Sequence, residues 1–215
     1  MANNNVKTEE IFGGVSDFRG AFGAGVKKQE NTPVCPEGRT PNWHNSCFNG
    51  TDEVKAGSVT EADLEAVLRL QETVRLDLPD PAFLCTATRA ELADSIQNDL
   101  CLGVFDGGRI VAFTILIVNR SCPGNLGQKL GFPPEECVTF EIVFVHPDCR
   151  GLGMQRFFIE ERERYARRLG AKRGFSTVAP KNYFSLNNIL GAGFSIYDRR
   201  EMYGGMDRYI MMKQF

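Results

Sequence analysis

The sequence predicts a mixed α+β fold, one sheet with helices on its faces. Three observations lead there. Residues 138–145 form a β-rich apolar run that ends before Pro147; a loop with Gly151 and Gly153 follows, and apolar residues then recur at Phe157, Phe158, Tyr165 and Leu169, which is helical spacing. Two further apolar runs, 101–105 and 109–118, flank Asp106-Gly107-Gly108, a hairpin signal. Ahead of them, Thr60 with Asp63 and Thr88 with Glu91 each set out a capping pattern before an amphipathic stretch.

In chain order, residues 1–54 stand apart. They are rich in Gly, Asn and Pro, with Phe12, Phe18 and Phe22 scattered among them and no sustained period, so an irregular extension is expected, with the folded domain at 55–215. Leu64, Val67, Leu68, Gln71 and Val74 trace one face of a first helix, which Leu78-Pro79-Asp80-Pro81 ends. Leu92, Ile96 and Leu100 mark a second, shorter helix. The 109–118 run is almost wholly apolar, which predicts a central strand covered on both faces. Residues 119–136 are long for a hairpin connection and contain Pro133-Pro134; they are expected to form a loop roofing a substrate site. After the 138–145 strand and its helix, Gly170 suits a C-cap, with Arg164, Arg167 and Arg168 at the negative end of the helix dipole. A strand at 173–178, a helix at 182–190 and strands at 194–197 and 208–212 complete the order, with Gly204-Gly205 between the last two.

Hydrophobic residues make up 42% of the chain and charged residues 24%, the balance of a globular domain, and the formal net charge is -2. No basic run points to nucleic acid or an anionic membrane, so small neutral or cationic partners are favoured. No apolar run reaches membrane-spanning length, and the polar start is unlike a secretion signal; a cytoplasmic location is expected. Seven cysteines without a Cys-x-x-Cys pair suit reduced thiols, Cys101 and Cys137 as small buried hydrophobes. Cys35, His44 and Cys47 lack a fourth ligand at any common zinc spacing, so no metal is expected.

A helix opening straight after a glycine loop presents backbone N–H groups without partners and the positive end of its dipole, which suits phosphate. The loop is neither Gly-x-x-x-x-Gly-Lys-Ser/Thr nor Gly-x-Gly-x-x-Gly, because position 156 is Arg. It resembles the acetyl-CoA loop of the GCN5-related N-acetyltransferase (GNAT) superfamily, Arg/Gln-x-x-Gly-x-Gly/Ala after a strand ending Val-x-Pro. Here Val145-His146-Pro147 precedes Arg150-Gly151-Leu152-Gly153-Met154-Gln155, with Gln155 in place of the last small residue. Asn182-Tyr183-Phe184-Ser185 ahead of Gly193-Phe194 is similar to the family's Asn-x-x-Ser/Ala and Gly-Phe. The resemblance, to bacterial-type members, covers about residues 57–213.

The resemblance implies a mostly antiparallel, twisted sheet of about six to seven strands, splayed at a cofactor cleft, with helices on both faces. It also implies transfer of an acetyl group from acetyl-CoA to a primary amine, of a small molecule or peptide, by direct attack. The pyrophosphate would sit on Arg150, Gly151, Leu152, Gly153, Met154 and Gln155, whose side-chain amide could donate to phosphate. Pantetheine would lie along the backbones of Phe144 and Val145, and would meet Asn182 and Ser185. Glu141, flanked by Phe140 and Ile142, stands where the family often has a general base, in surroundings that raise a carboxyl pKa. Where the family usually has a tyrosine acid this chain has Ile189, and Tyr183 is the nearby candidate. His146 is expected to be positional, and Cys149 to be a solvent-facing loop thiol. Family members often dimerise, which leaves a homodimer open. Two other functions are compatible with the sequence: a non-catalytic acyl-CoA sensor, and an interaction module centred on the N-terminal arm.

Overall fold

The computed structural model describes residues 54–118 and 120–215. The expected 1–54 extension and the Cys35, His44 and Cys47 group therefore lie outside the described residues, except for Val54. Seven strands, β1 (Val54–Ser58), β2 (Leu100–Asp106), β3 (Arg109–Ile117), β4 (Cys137–Val145), β5 (Arg173–Val178), β6 (Ser195–Met202) and β7 (Met206–Gln214), form one sheet in the order β1-β2-β3-β4-β5-β7-β6. Only β4 and β5 run parallel; every other pair is antiparallel.

α1 (Leu64–Asp77) and α2 (Arg89–Asn98) cover one face over β2–β4, where Val67, Leu70, Val74 and Leu92 meet Phe113, Ile115 and Phe144. α4 (Met154–Arg168) and α5 (Tyr183–Gly191) cover the other, packing Met154, Phe157, Phe158 and Ile189 on Val138 and Phe140. β3 is central and buried along all but its first residue, as its unbroken apolar run requires. The expected capping boxes form at Thr60 with Asp63 and at Thr88 with Glu91. Both glycines of the β2–β3 turn take positive φ, which the tight hairpin demands. α4 ends in a Schellman turn: the Gly170 N–H reaches the Arg167 carbonyl and the Ala171 N–H reaches the Ala166 carbonyl.

Several expectations change. β1 is an additional strand at the sheet edge, and Leu100 belongs to β2 rather than to the second helix. The segment expected to be a long roofing loop is docked: its short helix α3 (Leu126–Lys129) packs on β4 and β5 through Leu126 and Gly127. Its start is fixed because Arg120 pairs with the buried Asp99 at 2.7 Å. β6 and β7 are longer than their apolar stretches suggest. Among the described residues, no helix is long and apolar enough to cross a membrane.

Candidate active site

The site begins where the sheet comes apart. β4 and β5 pair through only three positions, Cys137 with Arg173, Val138 with Gly174 and Thr139 with Phe175, although both strands run on beyond them. At the next step the Phe140 carbonyl receives the Ser176 hydroxyl at 2.8 Å instead of a backbone donor. Glu141 and Ile142 then form a bulge opposite Ile115, since Phe140 pairs with Leu116 and Val143 with Thr114. Two side chains on the α4 face hold this bulge. The Thr114 hydroxyl donates to the Ile142 carbonyl at 2.7 Å, and Arg162 Nη1 donates to the Ile115 carbonyl at 3.1 Å.

Beyond the bulge, strand alternation decides which backbone groups are open. The His146 N–H bonds the Val111 carbonyl, towards β3. Phe144, two residues earlier and opposite Phe113, points its N–H the same way, so the N–H groups of Val143 and Val145 point to the gap left by β5. Of the two strand residues named from sequence, Val145 is therefore presented to the cleft. Phe144 is not: its ring is fully buried against Phe113, and Val143 stands in its place.

The loop at the mouth of the gap has Gly151 and Gly153 both at φ 79°, a left-handed conformation that side chains disfavour. Gly153 is the N-cap of α4, and no side chain caps that helix. By contrast, Thr88 caps α2 and Asn182 caps α5. The first backbone bond across the start of α4 runs from the Phe157 N–H to the Gly153 carbonyl, which leaves the amides of Met154, Gln155 and Arg156 ahead of it without intrahelical acceptors.

Arg150 Nη1 lies 2.5 Å from Asp77 at the end of α1. Both side chains are exposed, so the pair is weak and Arg150 can change partner. The Gln155 amide is engaged within the protein, its Nε2 donating one hydrogen to Ser185 at 2.9 Å and its Oε1 accepting from Asn188 at 2.8 Å. Asn182 in turn accepts the Ser185 N–H at 3.2 Å. Gln155, Asn182 and Ser185 are thus brought together as a brace between α4 and α5, with Asn188 as a member that sequence reasoning missed. Met154 is buried in the core and Leu152 is half-buried.

Glu141 faces the α2 and α3 side of the sheet. Burial pushes its pKa up to about 7; Lys129 opposes the shift, while Asp99 and Glu91 add to it. Arg162, 2% exposed, lies 4.8 Å from the Phe140 ring, and burial drives its pKa down to about 9. Tyr183 is exposed at the first turn of α5, and Ile189 is core. His146 is positional, its Nδ1 receiving the Asp148 N–H at 3.3 Å. Cys149 is fully buried, contrary to the solvent-facing thiol expected, because the 3-10 turn Pro147–Cys149 folds it inward under α4. Arg208 Cζ lies 5.6 Å from the Tyr203 ring, a pair that sequence reasoning missed and that only the neighbouring Gly204-Gly205 connection hinted at.

The chain was compared with known proteins. The model of the acetyltransferase (GNAT) family matches residues 67–194, more than half of the chain. A search of curated proteins found no match. Among solved structures, the fold is similar to a GNAT-family acetyltransferase from Streptococcus pneumoniae, with TM-score 0.58 and 17% identity over 76% of this chain and 99% of that one. It is also similar to YncA, a putative acetyltransferase from Salmonella typhimurium solved with acetyl-CoA (TM-score 0.57, 18% identity, 75% and 93% covered). PaiA N-acetyltransferase from Thermoplasma acidophilum, solved with coenzyme A, aligns with TM-score 0.57 and 16% identity over 76% of this chain and 99% of that one. With that family model matching over more than half of its length, the chain belongs to the acetyltransferase (GNAT) family.

Proposed function

We propose that this protein transfers an acetyl group from acetyl-CoA to a primary amine by direct attack. The observation that carries the proposal is the parting of β4 from β5 directly in front of the uncapped N-terminus of α4. A pantetheine arm fits the gap because the Val143 and Val145 amides are free to bond it. A diphosphate fits the loop because the first α4 amides are unspent and because a Cβ at Gly151 or Gly153 would meet no atom within 4 Å. Arg150 adds a charge-assisted contact on leaving Asp77. Asn182 and Ser185 shape the wall on the α5 side.

Acetyl-CoA supplies the thioester that the amine attacks. An alkylammonium, with pKa near ~10, must first lose a proton, and Glu141 is the acceptor. Its raised pKa places it close to half-ionised at neutral pH, where a base is both available and strong enough to be useful. The amine nitrogen bonds to the acyl carbon, the carbon–sulfur bond breaks, the sulfur departs as a thiolate, and the nitrogen releases its surplus proton, which balances the proton the thiolate takes up. A cleft-facing amide of β4 stabilises the charge that develops on the acyl oxygen. The thiol of CoA, with pKa near ~8.5, leaves without an obligatory acid, and Tyr183 is the candidate for returning a proton.

Melting curves with acetyl-CoA test the proposal. A ligand at ~100 times its dissociation constant stabilises the fold by about 2.7 kcal/mol. A raised melting temperature with thiol release on adding amines is expected; no shift removes the proposal, and a shift without thiol release for any amine leaves a sensor.

A further inference from the structure

Arg208 on β7 is 3% exposed. It lies on the α3 side of the sheet with Ile210, two residues along, which packs beside Met202 and Phe175. Its guanidinium donates to the carbonyl of its neighbour Asp207 at 3.0 Å and to the thioether of Met206 at 3.1 Å, a weak acceptor, and its Cζ lies 5.6 Å from the Tyr203 ring. Among the described residues it forms no ion pair. A buried cation without a carboxylate is costly, and bracing one turn accounts for few of its five N–H donors.

The two carboxylates within electrostatic reach, Asp207 and Asp80, are committed elsewhere. Asp207 binds Arg199 at 2.6 Å, and Asp80 accepts the Ala82 N–H at 2.8 Å. Glu141 and Arg208 lie on the same face of the sheet, on either side of β5, without pairing with each other: Thr139, two residues before Glu141, pairs with Phe175, and Ile210, two residues after Arg208, pairs with Thr177. Tyr203, in the β6–β7 hairpin turn, lies with its ring 5.6 Å from the Arg208 Cζ and its hydroxyl 3.2 Å from that of Thr177.

We infer that the acceptor is a primary amine that also carries a carboxylate, its amine at Glu141 and its carboxylate on the Arg208 guanidinium. The planar fork of Arg matches a carboxylate with two parallel hydrogen bonds, and Glu141 matches the ammonium. This inference rests on the acetyltransferase proposal and narrows its substrate.

Matched acceptors test it: a set of amino acids, each beside its own carboxamide, assayed with the full-length protein and acetyl-CoA for thiol release. For at least one pair the carboxylate member is expected to have the higher kcat/KM by roughly ten- to hundredfold. Arg208→Met collapses that ratio towards one by raising KM for the carboxylate member, and Arg208→Lys, which keeps the charge without the fork, gives an intermediate ratio. A merely structural role lowers both members in parallel and keeps the ratio. No preference for any carboxylate member in the unaltered protein, or a ratio untouched in both variants, overturns the inference while acetyl transfer to amides leaves the enzyme reading standing. Absence of any acetyl-CoA stabilisation sinks that reading instead, and this inference with it.

Discussion

Glu141 carries the largest consequence of any single residue. Its carboxyl is raised from near 4.5 to about 7 on folding because it is buried on the α3 face of the sheet, which it shares with Cys137 and Thr139 by strand alternation, with Lys129 only partly offsetting the burial. As a base it works as the carboxylate, so the rate of transfer should rise with pH through about 7. Glu141→Gln is expected to lower the rate by about a hundredfold or more and to erase that limb of the pH profile. Retention of either the full rate or the limb removes Glu141 from the chemistry. The same group weakens the fold at high pH. Between its unfolded and folded values, the folded chain holds a proton that the unfolded chain has lost, so its contribution is full below about 4.5 and is lost as pH climbs through 7. A shift of that size is worth at most about 3 kcal/mol. Glu141→Gln should therefore melt above the unaltered protein at pH 8 and lose that advantage towards pH 5. Arg208 shows why the chain's overall charge of -2 says little about one cleft: the field at an acceptor is set by one or two buried groups.

At the scale of the element, the loop before α4 combines two glycines in the left-handed region with a helix start that no side chain caps. Since a Cβ at Gly153 meets nothing, the cost of Gly153→Ala is backbone strain alone, about 1–2 kcal/mol. A fall of roughly 2–4 °C in melting temperature per kcal/mol is expected for a chain of this size, together with a higher dissociation constant for acetyl-CoA in titration calorimetry. Gly153→Asn, which tolerates the left-handed region better, should lose less of both. Equal losses for the two variants would point to a steric cause. The loop, the helix caps and the apolar strands were legible because each is written in consecutive residues. β1 was not: Val54-Lys55-Ala56-Gly57-Ser58 is short, with Gly57 in its middle. The outer part of β6 carries Asp198, Arg199, Arg200 and Glu201, an edge strand too polar to show a period. Nor could sequence give Gln155 its partners Ser185 and Asn188, which lie on another helix, or Glu141 its neighbours Lys129 and Asp99, which two separate segments bring.

Across the whole molecule, the cleft proposed to bind substrate is also the sheet's weakest seam. β1 to β4 form one half and β5 to β7 the other, joined by three paired positions. The molecule closes the seam from outside the ladder. Glu136 pairs with Arg173 at 2.6 Å, the Lys172 N–H reaches the Glu136 carbonyl, and the Leu126 N–H reaches the Thr139 hydroxyl at 2.9 Å, so the end of the 120–136 segment straddles both halves. α3 makes the closest approach. A Cβ on Gly127 would lie 2.4 Å from Cys137 Cβ on β4 and 3.1 Å from the Phe175 ring on β5. Gly127→Ala must therefore lift α3 off both strands, and overpacking of this kind costs about 1–3 kcal/mol. Because α3 carries Lys129, the lift should also take positive charge away from Glu141 and move the acid limb of the rate profile upward in pH, linking a packing change to the chemistry. Cys137→Ala in the same chain is expected not to rescue it, since the clash is with Cβ and survives loss of the sulfur. A Gly127→Ala protein with an unaltered melting temperature and pH profile would mean that α3 does not clamp the seam.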